Sequence, residues 1–225
     1  MIDNLNGIHE TVKYKENSNV KLFINAEAED YPIHWHTPME IIMPLEGGYT
    51  VQIGDDLVHL NESDIIFIAS GVKHRLIAPD TGKRLILQIE WSAVSKIKEL
   101  NSILTLIAPA ITLTPETSGD IHSNIRKLLL DISNEYQTDP FLSEAVIYSK
   151  MLEVLVLIGR HHTASSCNFN VGRHIRNKHR RFCFWPWITR GQDEFLLDIL
   201  VCDRQIKPRI GKVTFRGRNT WIQNN

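Results

Sequence analysis

Short apolar segments alternate with turn-forming residues along the first ninety residues. Turns are indicated at Gly47-Gly48, Gly54-Asp55-Asp56 and Asn61-Glu62-Ser63-Asp64. Short strands with turns at intervals of roughly 8–12 residues are typical of an all-β sandwich or barrel. The fold class is therefore predicted to be mainly β. The predicted strands are Val20–Ile24, Ile33–His36, Glu40–Leu45, Tyr49–Ile53, Leu57–Leu60, Ile65–Ile68, Arg75–Ile77 and Arg84–Glu90.

After Trp91 the apolar spacing changes to that of helices. Residues 92–106 are predicted to form a short helix and a loop, and a longer amphipathic helix begins at Ser118. Asp139-Pro140 ends this helix, and Ser143 is placed to cap the next one. The last helix is apolar on nearly all sides, which predicts burial on more than one side. Two such antiparallel helices either cap the barrel or pair with a second copy, and the second apolar face favours a homodimer through residues 118–162.

Composition is that of an ordinary globular protein with one good core and at most a small second domain. The chain has 225 residues, of which 43% are hydrophobic and 23% are charged. No stretch approaches the roughly 20 apolar residues of a membrane span, and Met1–Asn6 does not resemble a secretory signal. The odd set Cys167, Cys183 and Cys202 indicates neither a disulfide framework nor a zinc knuckle. A cytoplasmic location is expected.

The charge is distributed unevenly along the chain. Residues 171–225 contain twelve basic and four acidic side chains, a charge of +8, whereas the whole chain has a charge of -1. Residues 166–225 have no helical or strand periodicity, so we expect an irregular, disordered or poorly packed tail. A shifted reading frame or a truncated gene product is the leading explanation. The alternative is a basic tail that binds nucleic acid weakly.

The candidate chemistry lies in His34, His36, Glu40 and His74. His34 and His36 are two residues apart, so on a strand their side chains leave the same face, and an unbroken strand would keep Glu40 on it. Three imidazoles and a carboxylate can bind a divalent ion such as Zn, Fe, Mn or Ni. The same side chains can also line a polar pocket for a small ligand.

The spacing of these residues resembles the two cupin motifs. His34-x-His36-x3-Glu40-x6-Gly47 is similar to the first motif, and Ser63-Asp64-x4-Ala69-x-Gly71-x2-His74 is similar to the second. The resemblance covers residues 20–90. It implies a double-stranded β-helix, or jelly-roll barrel, whose metal ligands occupy positions 34, 36, 40 and 74.

A narrower resemblance is to the N-terminal sensor domain of AraC-type transcription regulators. It rests on the segment His34–Ile42, the turn Leu45–Val51 and the helix Ser143–Arg160, and it ends near residue 165. The two helix-turn-helix units of that family need on the order of 100 further residues. We therefore expect no DNA-binding domain in this chain.

This resemblance implies three segments. Residues 1–100 would be an effector-binding barrel, 101–165 a helical dimerisation element, and 166–225 the atypical tail. The expected function is sensing of a small molecule, such as a sugar, in transcription control. Trp91, at the end of the last strand, belongs either to the core or to the ligand site, where it would stack on a sugar ring. The alternative function is a metal-dependent isomerase or dioxygenase that uses the three histidines and Glu40.

Overall fold

The computed structural model describes residues 4–16, 18–93, 97–165, 196–200 and 210–214. Thirteen strands and three α-helices are formed in these segments, with a short 3-10 turn at Trp91–Ala93. The strands are β1 (Leu5–Asn6), β2 (His9–Glu10), β3 (Val20–Asn25), β4 (Tyr31–His34), β5 (Met39–Glu46), β6 (Tyr49–Ile53), β7 (Asp56–Leu60), β8 (Ile65–Ile68), β9 (His74–Ile77), β10 (Lys83–Ile89), β11 (Ala110–Leu113), β12 (Leu196–Leu200) and β13 (Ile210–Thr214). The helices are α1 (Lys98–Ile107), α2 (Pro115–Thr138) and α3 (Ser143–Ser165).

Two antiparallel sheets face each other across an apolar core. One sheet has five strands in the order β11-β8-β5-β10-β3, and the other has four in the order β4-β9-β6-β7. Alternate residues of both sheets meet in one buried cluster, which includes Ile42 and Ile86 from the first sheet and Val51 and Leu76 from the second. The predicted mainly β architecture is confirmed.

The five-stranded sheet is buried on both faces. Its outward residues, such as Ile41, Phe67 and Leu85, form a second cluster with the helices. Leu129 of α2 and Val154 of α3 belong to this cluster and are fully buried. The helices therefore cover the outer face of the sheet, one of the two arrangements that their apolar surfaces allow. Their predicted role in dimerisation stays a prediction.

The helical region contains one strand that the sequence pattern did not indicate. β11 pairs with β8 at the edge of the five-stranded sheet, beyond the boundary expected at residue 100. α2 begins at Pro115 and not at Ser118, because Thr114 caps it and exchanges hydrogen bonds with Thr117. A non-helical backbone at Gly119 (φ 45°) interrupts the first turn of the predicted helix.

The chain divides into two compact units, Met1–Arg176 and Asn177–Asn225. Of the second unit, the structure describes only β12 and β13, which pair antiparallel. The expectation of an irregular tail is therefore wrong for these ten residues, and for the rest of 166–225 it lies outside the described residues. The proposed contact of the tail with nucleic acid also falls there. In the described part of the chain, no helix has the length and apolar character needed to cross a membrane.

Candidate metal centre

Three buried histidines meet at one end of the space between the sheets. His34 ends β4 and is directly opposite His74, which begins β9, so the pairing of these strands brings the two rings together. The ring centroids of His34 and His74 are 4.3 Å apart, and those of His36 and His74 are 5.1 Å apart. Each of the three residues is only 2% exposed. One ring nitrogen from each lies within 4.8 Å of those of the other two.

The backbone orients all three rings in the same way. The Nδ1 atoms of His34, His36 and His74 lie 2.8–2.9 Å from the carbonyl oxygens of Pro32, Pro38 and Val72 respectively. A carbonyl can only accept, so each Nδ1 carries a proton, and Nε2 is the nitrogen that each ring has left to face Glu40 or an ion. Such second contacts are typical of histidines that bind metals, because they fix both the tautomer and the ring orientation.

Glu40 joins the histidines from β5. Its Oε2 is 3.0 Å from His36 Nε2 and accepts a hydrogen bond of 2.9 Å from Gln88 Nε2, while its Oε1 is 3.5 Å from His74 Nε2. The strand is interrupted after His34, so the unbroken strand assumed from the sequence is not what places Glu40. The register of the five-stranded sheet sets Glu40 opposite Gln88, with Lys21 on the other side of Gln88.

The electrostatics of the cluster depend on burial. Burial and the neighbouring His74 lower the pKa of His34 to about 4, so this ring is neutral at neutral pH. Burial alone would raise the pKa of Glu40, but the hydrogen bond from His36 and the nearby imidazole of His74 outweigh it and hold this pKa well below its usual value. A buried carboxylate is thus kept ionised beside three ring nitrogens.

The same atoms fit a divalent metal ion. His74 Nε2 and Glu40 Oε1 are buried and have no hydrogen-bond partner, although burial of unpaired polar atoms is costly. An ion bound to the three Nε2 atoms and Glu40 would satisfy both. Neutral imidazoles and a carboxylate are the donor set that zinc, iron, manganese and nickel accept.

Glu10 is a further carboxylate at the site, and sequence reasoning missed it. Its Oε2 lies 3.6 Å from His34 Nε2, and its Oε1 lies 3.9 Å from Lys21 Nζ. The N-terminal hairpin β1-β2 delivers it, since the Glu10 amide donates to the Trp35 carbonyl and the Trp35 amide donates to the Ile8 carbonyl. The segment around Glu10 has no sequence pattern that indicates this contact.

A cavity of about 220 Å³ adjoins the cluster. His34, Glu40 and Gln88 contribute polar groups to its wall, and the remainder is both polar and apolar. Its other lining residues are Glu10, Lys21, Phe23, Glu27, Tyr31, Leu76 and Ile86.

The two tryptophans near the site do not line this cavity. Trp35 points away from the histidine pair and lies against the ring of His9, with centroids 4.3 Å apart. Trp91 packs against the outer apolar cluster beneath the helices. The structure thus brings together the four predicted metal ligands but not Trp91, whose placement gives no contact with the cavity.

Comparison with known proteins bears on the β domain only. A family model described as "Cupin domain" matches residues 22–89. The chain is similar in structure to a cupin-2 domain protein from Shewanella frigidimarina, with 19% identity, 34% of this chain and 76% of that chain covered, and a TM-score of 0.31. A cupin protein from Bacteroides fragilis shows 23% identity, 35% and 71% coverage, and a TM-score of 0.31.

A mutant of Bacillus subtilis oxalate decarboxylase is also similar, with 21% identity, 34% of this chain and 23% of that chain covered, and a TM-score of 0.31. A search of curated protein sequences gives no match. The family match and the two-sheet fold both support the resemblance of residues 22–89 to a cupin domain. These matches do not test the narrower resemblance to AraC-type regulators, which stays a prediction.

Proposed function

We propose that the cupin domain binds a divalent metal ion and a small effector, and that the chain is the sensing part of an AraC-type transcription regulator. The observation that carries the proposal is the convergence of three histidine Nε2 atoms beside a cavity that His34 and Glu40 help to line. Such a cavity, with a few oriented polar groups, is the usual form of a small-molecule site. The predicted identity of the effector as a sugar stays open.

The protein groups would prepare the site before the effector arrives. The Pro32, Pro38 and Val72 carbonyls hold the rings in place, and the Gln88 amide positions the Glu40 carboxylate. When bound, the ion supplies a Lewis acid that attracts an oxygen atom of the effector. The burial of all four ligands keeps water away from these contacts and strengthens them.

A second candidate function is that of a metal-dependent cupin enzyme. Glu10 favours it, since this carboxylate lines the cavity within 3.6 Å of His34 Nε2 and could give or accept a proton. The two functions differ in the fate of the bound molecule: a sensor releases its effector unchanged, whereas an enzyme converts it.

Metal analysis tests the part that both functions share. We expect purified protein, dialysed against Zn²⁺, Mn²⁺ or Ni²⁺ and then freed of excess, to retain about one ion per chain in elemental analysis. Incubation of the loaded protein with a panel of sugars and organic acids, followed by chromatography, then separates the functions. Unchanged recovery of a bound compound favours the sensor, and a new product favours the enzyme. A folded protein that retains no ion contradicts the metal site.

Dimerisation through α3 is a separate prediction. Leu152 and Val156 are half-buried one turn apart, while the residues that pack on the sheet, such as Val154 and Leu155, are fully buried. A glutamate at position 156 would place a charge in an apolar interface. We expect the unmodified protein to sediment as a dimer and the Val156→Glu variant as a monomer with unchanged circular dichroism. Glu153→Gln, at an exposed position, is the control, and a monomeric unmodified protein at micromolar concentration would remove the prediction.

A further inference from the structure

Arg84 is a buried cation between the two sheets. It is 2% exposed and lies on the inward face of β10, together with Ile86 and Gln88. Its guanidinium donates a hydrogen bond to the backbone carbonyl of Glu27 and lies over the ring of Tyr49, 4.4 Å from the centroid. In the described part of the chain no carboxylate pairs with it, and its Nε has no partner. Buried charges are normally paired, so this guanidinium calls for an anion.

Arg84 does not itself line the cavity, but it adjoins residues that do. Gln88 and Ile86 line the cavity, and Arg84 is the next inward residue along the strand. Arg84 and Gln88 are four positions apart on the strand, which corresponds to roughly 13 Å. Glu27, whose carbonyl accepts from Arg84, also lines the cavity. The cavity therefore runs from the metal centre towards Arg84.

Tyr31 adds an unused hydrogen-bond donor at this end. Its Oη accepts a hydrogen bond of 2.8 Å from Asn25 Nδ2, and Asn25 Oδ1 accepts one from the Glu27 amide, which fixes the orientation of the Asn25 side chain. The Tyr31 hydroxyl proton consequently has no acceptor among the described residues. Burial raises the pKa of Tyr31 to about 12, so the phenol keeps this proton at neutral pH. An acceptor atom in the cavity would complete the arrangement.

We propose that the ligand of this cavity is a bifunctional carboxylic acid, held by the metal centre at one end and by Arg84 and Tyr31 at the other. The inference rests on the proposed function, because it assumes that the cavity and the metal centre bind one molecule. A carboxylate accepts two hydrogen bonds and neutralises a guanidinium, whereas a neutral polyol does only the first. An anionic group thus accounts for both the unpaired charge and the unused donor.

Lys21 is the rival anchor for the same anion. Its ammonium lies at the metal end, 3.9 Å from Glu10 Oε1, and the lysine side chain is about a third exposed. That contact already partners the cation, so Lys21 has less need of a ligand than Arg84. A carboxylate at Lys21 would also lie beside Glu10, which repels it.

The test uses linear dicarboxylates and their monoamides. Zinc-loaded protein is titrated calorimetrically with the acids from succinate to suberate, with the monoamide of each, and with D-glucitol. The monoamide has nearly the same shape but lacks one charge. We expect at least one diacid to bind about tenfold or more tightly than its monoamide, because a charge-assisted pair is lost in the monoamide. Arg84→Met should abolish this preference and Tyr31→Phe should reduce it, with zinc affinity unchanged in both.

Arg75→Met is the matched control. Arg75 lies on β9 of the four-stranded sheet and forms a partly exposed ion pair with Asp30. This variant should keep the full preference for a diacid over its monoamide.

The inference is overturned if Arg84→Met keeps the preference, if Lys21→Met alone removes it, or if the loaded protein binds the monoamides or D-glucitol as well as any diacid. It is also overturned if zinc binds but none of these probes does. Absence of zinc binding would instead be a failure of the proposed function itself. Should Arg84→Met not fold, Tyr31→Phe decides by the same comparison.

Discussion

Replacing His74 with alanine is expected to lower the affinity of the protein for Zn²⁺ by about 100-fold or more. Loss of a residue that only orients a metal ligand already costs about 10–100-fold, and loss of a ligand itself should cost at least as much. His74 is well suited to the test because its Nε2 is buried without a hydrogen-bond partner. The measurement is competition with a chromophoric chelator, and His34→Ala and His36→Ala should behave alike.

The control for this prediction is His59→Ala. His59 is exposed on β7, outside the histidine cluster, and its ring shares a hydrogen bond with the Thr50 hydroxyl, so its removal should leave zinc affinity unchanged. Circular dichroism would verify that each variant is folded. Equal zinc affinity in the His74 and His59 variants would mean that the three rings are a buried polar cluster and not a metal centre.

The four residues at this centre could be found from the sequence because each belongs to a local pattern. His34 and His36 have strand spacing, Glu40 follows at motif distance, and the turn before His74 completes the second motif. Their convergence also requires the pairing of β4 with β9, which sets His34 opposite His74, and the register of β5, which carries Glu40. Local patterns thus sufficed for the ligands, while their geometry required the strand pairing.

Glu10, Gln88 and Arg84 could not be found in this way. Gln88 meets Glu40 because of the register between β10 and β5, and Glu10 meets His34 because the N-terminal hairpin docks beside Trp35. Arg84 indicates a ligand site only because it is buried without a carboxylate partner among the described residues. From the sequence alone, an arginine is expected at the surface. Strand register, the packing of the N-terminal hairpin and the burial of a side chain all depend on tertiary structure, so the spacing of residues along one strand cannot predict them.

The apolar surface of α3 illustrates a different limit. The sequence indicated a helix that is apolar on nearly all sides. A second copy of the chain, packed against this helix in a dimer, was one way to bury its apolar surface. The structure covers much of it within the chain: one side packs on the five-stranded sheet, and Gly159 lets α1 approach closely at Ile103. Apolarity of a helix predicts that it is covered, but not by what. Half-buried side chains such as Leu152 and Val156 leave room for a second copy.

The same packing predicts that Leu85→Ala destabilises the sheet and the helices together. Leu85 is fully buried on β10, an interior strand of the five-stranded sheet, on the face that the helices cover. Truncation of a buried leucine costs about 2–5 kcal/mol, from lost burial and from the cavity that remains. In urea titrations, we expect circular dichroism at helical wavelengths and tryptophan fluorescence to report one shared transition, displaced to lower denaturant by that amount.

Leu57→Ala provides the matched comparison, since Leu57 is a strand leucine that is 55% exposed. Its truncation should change the free energy of unfolding by no more than about 0.5 kcal/mol. Two separated transitions in the Leu85 variant, with the helices lost first and the sheet intact, would show that the helices are an appended element. A single displaced transition would mean that the β domain and the helices share one core. A ligand-induced change in the β domain could then reach the helices through this core. That coupling is the physical requirement for a sensor that signals through its helices.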